Sequence, residues 1–127
     1  MEEKLRTYNV NTNIKINKQN LDIEGEMNVI YTNAEDVIAM MEVGHYFEVD
    51  ELVEEFQLIG INIDEKCDEL LREYKLNDKV EEVLNSIREK ANFFMSIDKE
   101  VANEKVISQA KEIKFLVKKI IKNVFEL

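Results

Sequence analysis

The feature that most constrains this chain is a row of apolar residues near its C-terminus. Val106, Ala110, Ile113, Val117, Ile120, Val124 and Leu127 alternate spacings of four and three without a break. That rhythm keeps one stripe of an α-helix in register over three heptads, and such a stripe has to be covered by another helix, knob into hole. A preceding segment, capped by Asn77 or Asp78, repeats the pattern through Val80, Leu84, Ile87, Ala91 and Phe94. A turn at Ser96-Ile97-Asp98 between the two predicts an antiparallel helical hairpin. The partners are unequal: the first helix runs over 78–94 and the second over 98–126, so roughly 18 Å of the second overhangs at 1.5 Å per residue. The uncovered seam is expected to pack on the N-terminal region or on a second copy. A homodimer through Val106, Ala110, Ile113, Val117, Ile120 and Val124 is therefore expected.

The N-terminal region reads differently. Tyr8, Val10, Thr12, Ile14 and Ile16 alternate with polar residues, as do Leu21, Ile23, Met27, Val29 and Tyr31. Period two is the signature of a strand with one buried face, and Asn17-Lys18-Gln19-Asn20 has the length and polarity of a hairpin turn. Gly25 falls on the apolar side of the second strand, as at a bulge. Thr32 with Glu35 has capping-box spacing at the start of a helix through Val37, Ile38, Met40 and Met41, and Gly44 is a natural stop. His45-Tyr46-Phe47-Glu48-Val49 alternates again, as a third strand. Asp50 then caps a helix over about 50–59 that Gly60 ends, although residues 56–63 also read as an edge strand. A further helix spans Asp64 to Lys75. The expected fold is a single α+β domain over 1–127: an N-terminal β-hairpin or ββαβ unit over 1–49, then a mainly helical part over 50–127 ending in the long amphipathic helix.

Charge narrows the function. The chain has 27 acidic and 17 basic residues, for a net charge of −10. Residues 33–76 hold 13 acidic and 3 basic groups, so the whole excess sits in that third. A chain of this sign is not a general nucleic-acid binder, whose affinity comes from neutralising phosphates. One cysteine excludes an internal disulfide framework. The opening residues contain no apolar segment of signal-peptide length, and the longest apolar run, Val37 to Met41, is too short for a membrane span, so a cytoplasmic protein is expected.

Few residues offer catalysis. His45 stands near Glu42, Glu48 and Asp50 but is the only histidine. Cys67 lies between acidic neighbours, which raise rather than lower a thiol pKa, and aligns with Leu70, Leu71 and Tyr74 as a core residue. The glycines at 25, 44 and 60 form no phosphate-binding loop. No catalytic residue, cofactor or resident metal is expected.

One enzymatic reading rests on paired carboxylates. Glu51-x-x-Glu54 and Glu65-x-x-Asp68 place two pairs at i, i+3 on what read as two helices. This resembles the ExxE…ExxD pattern of the all-α nucleoside triphosphate pyrophosphatases of the MazG type, over about 18 residues. The resemblance implies Mg²⁺ held by Glu51, Glu54, Glu65 and Asp68 against a nucleotide's phosphates.

The leading expectation is a non-enzymatic acidic binding protein. It would use Glu51, Glu54, Glu55, Glu65 and Asp68 to occupy a basic surface on a protein partner, as small phage and plasmid accessory inhibitors do. A second expectation is sequestration of a small anionic ligand such as a nucleotide by Lys111, Lys114, Lys118 and Lys122, which fall within about 80° of one another on the last helix.

Overall fold

A computed structural model describes residues 18–44, 47–98 and 103–125. They form four helices: α1, Lys18–Glu42; α2, Val49–Glu73; α3, Asp78–Met95; and α4, Asn103–Phe125. No strand occurs among the described residues. The α+β expectation, with its ββαβ start, is overturned over 18–44 and 47–49. The proposed first strand and His45 lie outside the described residues.

The physical reason lies in a second periodicity hidden beneath the first. Ile23, Met27, Ile30, Ala34 and Val37 recur at four, three, four, three, and all five are buried along one side of α1. Leu21 and Val29, which the period-two reading placed with them, are among the exposed large hydrophobics. A row of this kind satisfies every backbone group within the helix while presenting a stripe to α4, whereas a lone hairpin is marginal in water. Thr32 and Asn33 consequently fall inside the helix, where Asn33 Nδ2 donates to the Val29 carbonyl one turn back (3.0 Å).

The second correction concerns Gly60. The helices expected on either side of it are one continuous helix, α2, in which Phe56, Ile59, Gly60, Ile63, Cys67 and Leu70 are buried. A Cβ on Gly60 would meet the Ala91 carbonyl at 2.8 Å and the Met95 backbone nitrogen at 2.9 Å. The glycine permits close contact between α2 and α3 instead of ending a helix.

The remaining boundaries follow local chemistry. Asn77 caps α3, its side chain accepting from Val80 N–H at 2.9 Å. At the start of α2, Glu48 and Glu51 form a reciprocal capping box, with Glu48 N–H donating to Glu51 Oε1 at 2.9 Å. Val43 and Gly44 close α1 in a turn.

The helices pack in a ring. α2 lies chiefly on α3 and α1 chiefly on α4, with α3–α4 and α1–α2 contacts completing the circuit. Neighbours run antiparallel: Asp64 pairs with Arg88, while Gln57 one end further reaches the Ile97 carbonyl. Across α1 and α4, Lys114 meets Glu35, and Lys118 meets Tyr31. The result is an up-down-up-down four-helix bundle. Val106, Ala110, Ile113, Val117 and Ile120 are all buried within the chain. α1 has 25 residues and α4 has 23, so α1 supplies the equal-length cover that α3 alone could not. From Val106 to Ile120 the seam thus needs no second copy to bury it, while Leu127 lies outside the described residues.

Two glycines at similar helical depth should respond oppositely to alanine. Gly60→Ala forces α2 away from the α3 backbone and is expected to destabilise by about 1–3 kcal/mol. Gly25 is exposed with nothing within 4 Å of its Cβ position, so Gly25→Ala should stabilise by roughly 0.5–1 kcal/mol. Urea unfolding followed by circular dichroism measures both, and equal signs would contradict the α2–α3 contact.

Candidate functional site

The charged residues singled out by the sequence gather on the outward side of α2. At about 100° per residue, Glu51, Glu54, Leu58, Ile61, Glu65 and Asp68 share an arc of about 100°, with Glu55 at its margin. α2 carries nine acidic residues and two basic ones. Its apolar stripe faces the core, so the sequence places its acids where water or a partner can reach them.

These carboxylates do not all have the same duty. Glu51 is occupied in capping α2. Asp68 accepts from Arg72 Nε at 2.9 Å and faces Arg88 at 3.7 Å. Arg88 also donates to Asp64 at 2.8 Å, tying α3 to α2. Hydrogen bonding to Asp68 raises the Arg72 pKa, and hydrogen bonding to Asp64 raises that of Arg88. On the other flank, Lys66 bridges Glu26 of α1 (3.1 Å) and Glu69 (3.2 Å), and those bonds raise its pKa. Glu54, Glu55 and Glu65 are exposed and enter no ion pair among the described residues.

Between those acids stand two residues that the sequence reading missed. Leu58 is 50% exposed and Ile61 42% exposed, in the middle of the acidic face. The signal was available: the run Phe56-Gln57-Leu58-Ile59-Gly60-Ile61 is wider than the core stripe needs, so two of its members had to point outward. A polar groove of about 820 Å³ crosses the same side of α2 between Val29 and Asn33 of α1 and Arg88 of α3. Its cations, Lys66, Arg72 and Arg88, are already paired with carboxylates.

The carboxylate pairs of the pyrophosphatase resemblance do not face one another. They lie on one helix, with Glu54 and Glu65 about 16 Å apart along its axis. No group of three or more His, Cys, Asp or Glu side chains among the described residues is arranged to hold a metal ion. The helical architecture agrees with what that resemblance implied for the fold, but the two-helix clamp it needs is not formed by these residues.

The lysine stripe also divides. Lys114 bonds Glu35 at 3.5 Å and lies 5.0 Å from the Tyr31 ring centre. Lys118 lies 5.7 Å from the same ring, a cation–π distance. Lys111 instead borders an apolar depression of about 490 Å³ beside Phe115. The four lysines do not converge on one anion site.

Cys67 is a core residue, as its helical spacing predicted. Burial pushes its thiol pKa from 9.0 up to about 12, against a smaller lowering by Arg88. No helix of the described residues is long and apolar enough to cross a membrane. Comparison with protein-family models, curated proteins and solved structures found no match.

The thiol yields a test of the packing around α2. Because the fold favours the neutral form, its contribution to stability is complete below the unfolded pKa of 9.0 and is lost as pH rises towards about 12. The stability advantage of the native chain over Cys67→Ala should therefore shrink as alkaline pH is approached, measured by urea midpoints across a pH series. At neutral pH a thiol reagent should label Cys67 only as fast as the bundle opens.

Proposed function

We propose that this chain is a non-enzymatic binding protein that covers and blocks a basic surface on a partner protein with the outward face of α2. One observation carries the reading: Leu58 and Ile61 stand half-exposed at the centre of a face lined chiefly by carboxylates. Apolar residues surrounded by a single charge suit a docking surface, in which the apolar centre is desolvated and the charged rim guides approach. The fitting partner carries an apolar depression rimmed by lysine or arginine. Glu54, Glu55 and Glu65 supply the attraction, Asp68 a partly neutralised edge, and Glu51 chiefly holds the helix end. Carboxylates along one helix also present negative charge to a basic groove much as phosphates do, which supports a partner that handles nucleic acid. A cytoplasmic location is part of this proposal.

The anion-sequestering reading has less support, because Lys114 is engaged by Glu35 and Tyr31. The Mg²⁺ reading loses its facing carboxylate pairs.

A basic amphipathic Lys/Leu peptide serves as a defined probe. Reversing Glu54, Glu55 and Glu65 to Lys should slow its association and flatten the salt dependence of the on-rate, since exposed charges are screened within about 8 Å at physiological ionic strength. Leu58→Ser with Ile61→Ser should instead raise the off-rate. Stopped-flow kinetics across a salt series separates the two, and unchanged kinetics in both variants would remove the α2 face as the binding surface.

A further inference from the structure

The opposite side of the bundle carries a face that matches α2 in kind and opposes it in sign. Phe115 is 67% exposed, more than any other large hydrophobic residue described. It stands on the outward side of α4, at the lip of the apolar depression that Ile107 also lines. α4 has six basic residues and two acidic ones. Lys111, Lys118 and Lys122 share an arc of about 40°, with Phe115 about 20° beyond its edge. Of the two acids, Glu112 is neutralised by Lys90 of α3 at 3.1 Å.

Position makes the match specific. Ile61 is the middle residue of α2 (Val49–Glu73), and Phe115 lies one residue past the middle of α4 (Asn103–Phe125). The helices are 25 and 23 residues long. Laying one face on the other brings the apolar centres together in either direction, with carboxylates and lysines around them. Within one chain this cannot happen, because α2 and α4 occupy diagonal corners of the bundle and their outward faces look away from each other.

We propose that the acidic face of α2 docks on the basic, Phe115-bearing face of α4 in a second copy of this chain. The inference rests on the reading of α2 as a docking face and names one partner for it. Such a contact is heterologous: each copy keeps one unused face of each sign, so association continues head to tail instead of stopping at a symmetric pair. With few apolar side chains at its centre, the interface is of the weak, salt-sensitive class.

Complementation tests it. In sedimentation equilibrium at low salt, up to about 200 µM, a range that reaches weak contacts, the weight-average mass should climb above the 15.0 kDa of one chain and fall back as salt is added. Phe115→Glu spoils only the α4 face, and Leu58→Lys with Ile61→Lys spoils only the α2 face. All three positions are solvent-exposed, so the bundle should survive, as circular dichroism would verify. Each variant alone should stay monomeric, whereas their equimolar mixture should approach twice the single-chain mass, because one intact face of each sign remains. A wild-type chain that stays monomeric, or variants that associate alone as well as mixed, would overturn the proposal. Binding of the Lys/Leu peptide to the Phe115→Glu protein distinguishes the two failures. If the peptide binds while the wild type stays monomeric, self-docking is wrong and the α2 face remains a docking surface. If the peptide does not bind either, both readings fall.

Discussion

The bundle depends on the match between two buried rows, Ile23 to Val37 on α1 and Val106 to Ile120 on α4. Each row is an unbroken alternation of four and three, and each spans about 21 Å of helix at 1.5 Å per residue. Burying apolar side chains of this size is worth about 1.5–3 kcal/mol apiece, so leaving either row in water would cost about as much as a typical domain's net stability. With α1 on α4, the remaining pair has one arrangement left. α2 and α3 close against each other at Gly60, where a backbone carbonyl occupies the space a side chain would need.

How much of this was legible in the sequence depended on whether local and non-local signals agreed. In α3 and α4 they did: Asn77 caps where the pattern begins, and the apolar rows have a single period. In α1 two periods coexist, because Val29 and Tyr31 flank Ile30 and make an alternating series look continuous. Only burial decides between them, and burial depends on α4, some 80 residues away. Gly60 misled for a related reason. A glycine that ends a helix and a glycine that admits a neighbouring helix look alike until the neighbour is placed.

The proposed docking face was legible in its charge and not in its centre. Glu54, Glu55 and Glu65 lie on the polar side of α2, because acids recurring outside an apolar stripe have nowhere else to go. Leu58 and Ile61 fall in the stretch 56–63 that also reads as an edge strand, since hydrophobic residues are read as interior by default. Splitting α2 at Gly60 also created the two facing carboxylate pairs of the pyrophosphatase resemblance. Once the helix is continuous, the same four residues become a stripe along one edge. The ion pairs on either flank, Lys66 with Glu26 and Arg88 with Asp64, draw the basic residues of α2's surroundings to the seams and leave its crest negative.

The ring order of the helices has a consequence for how cooperatively the bundle holds together. α2 and α3 are joined by the four residues 74–77, so bringing them together confines little chain. α1 and α4 are neighbours in space but stand at opposite ends of the sequence, and their union closes a loop containing both other helices. Loop-closure entropy rises with the logarithm of the enclosed length, so this pairing starts from the larger entropic deficit. The α2–α3 hairpin, with Gly60 at its crossing, is therefore the more self-contained unit, and the α1–α4 pair is the clasp. A disturbance in the buried rows of α1 and α4 loosens the clasp first, while the hairpin that carries Leu58 and Ile61 keeps its short-range contacts.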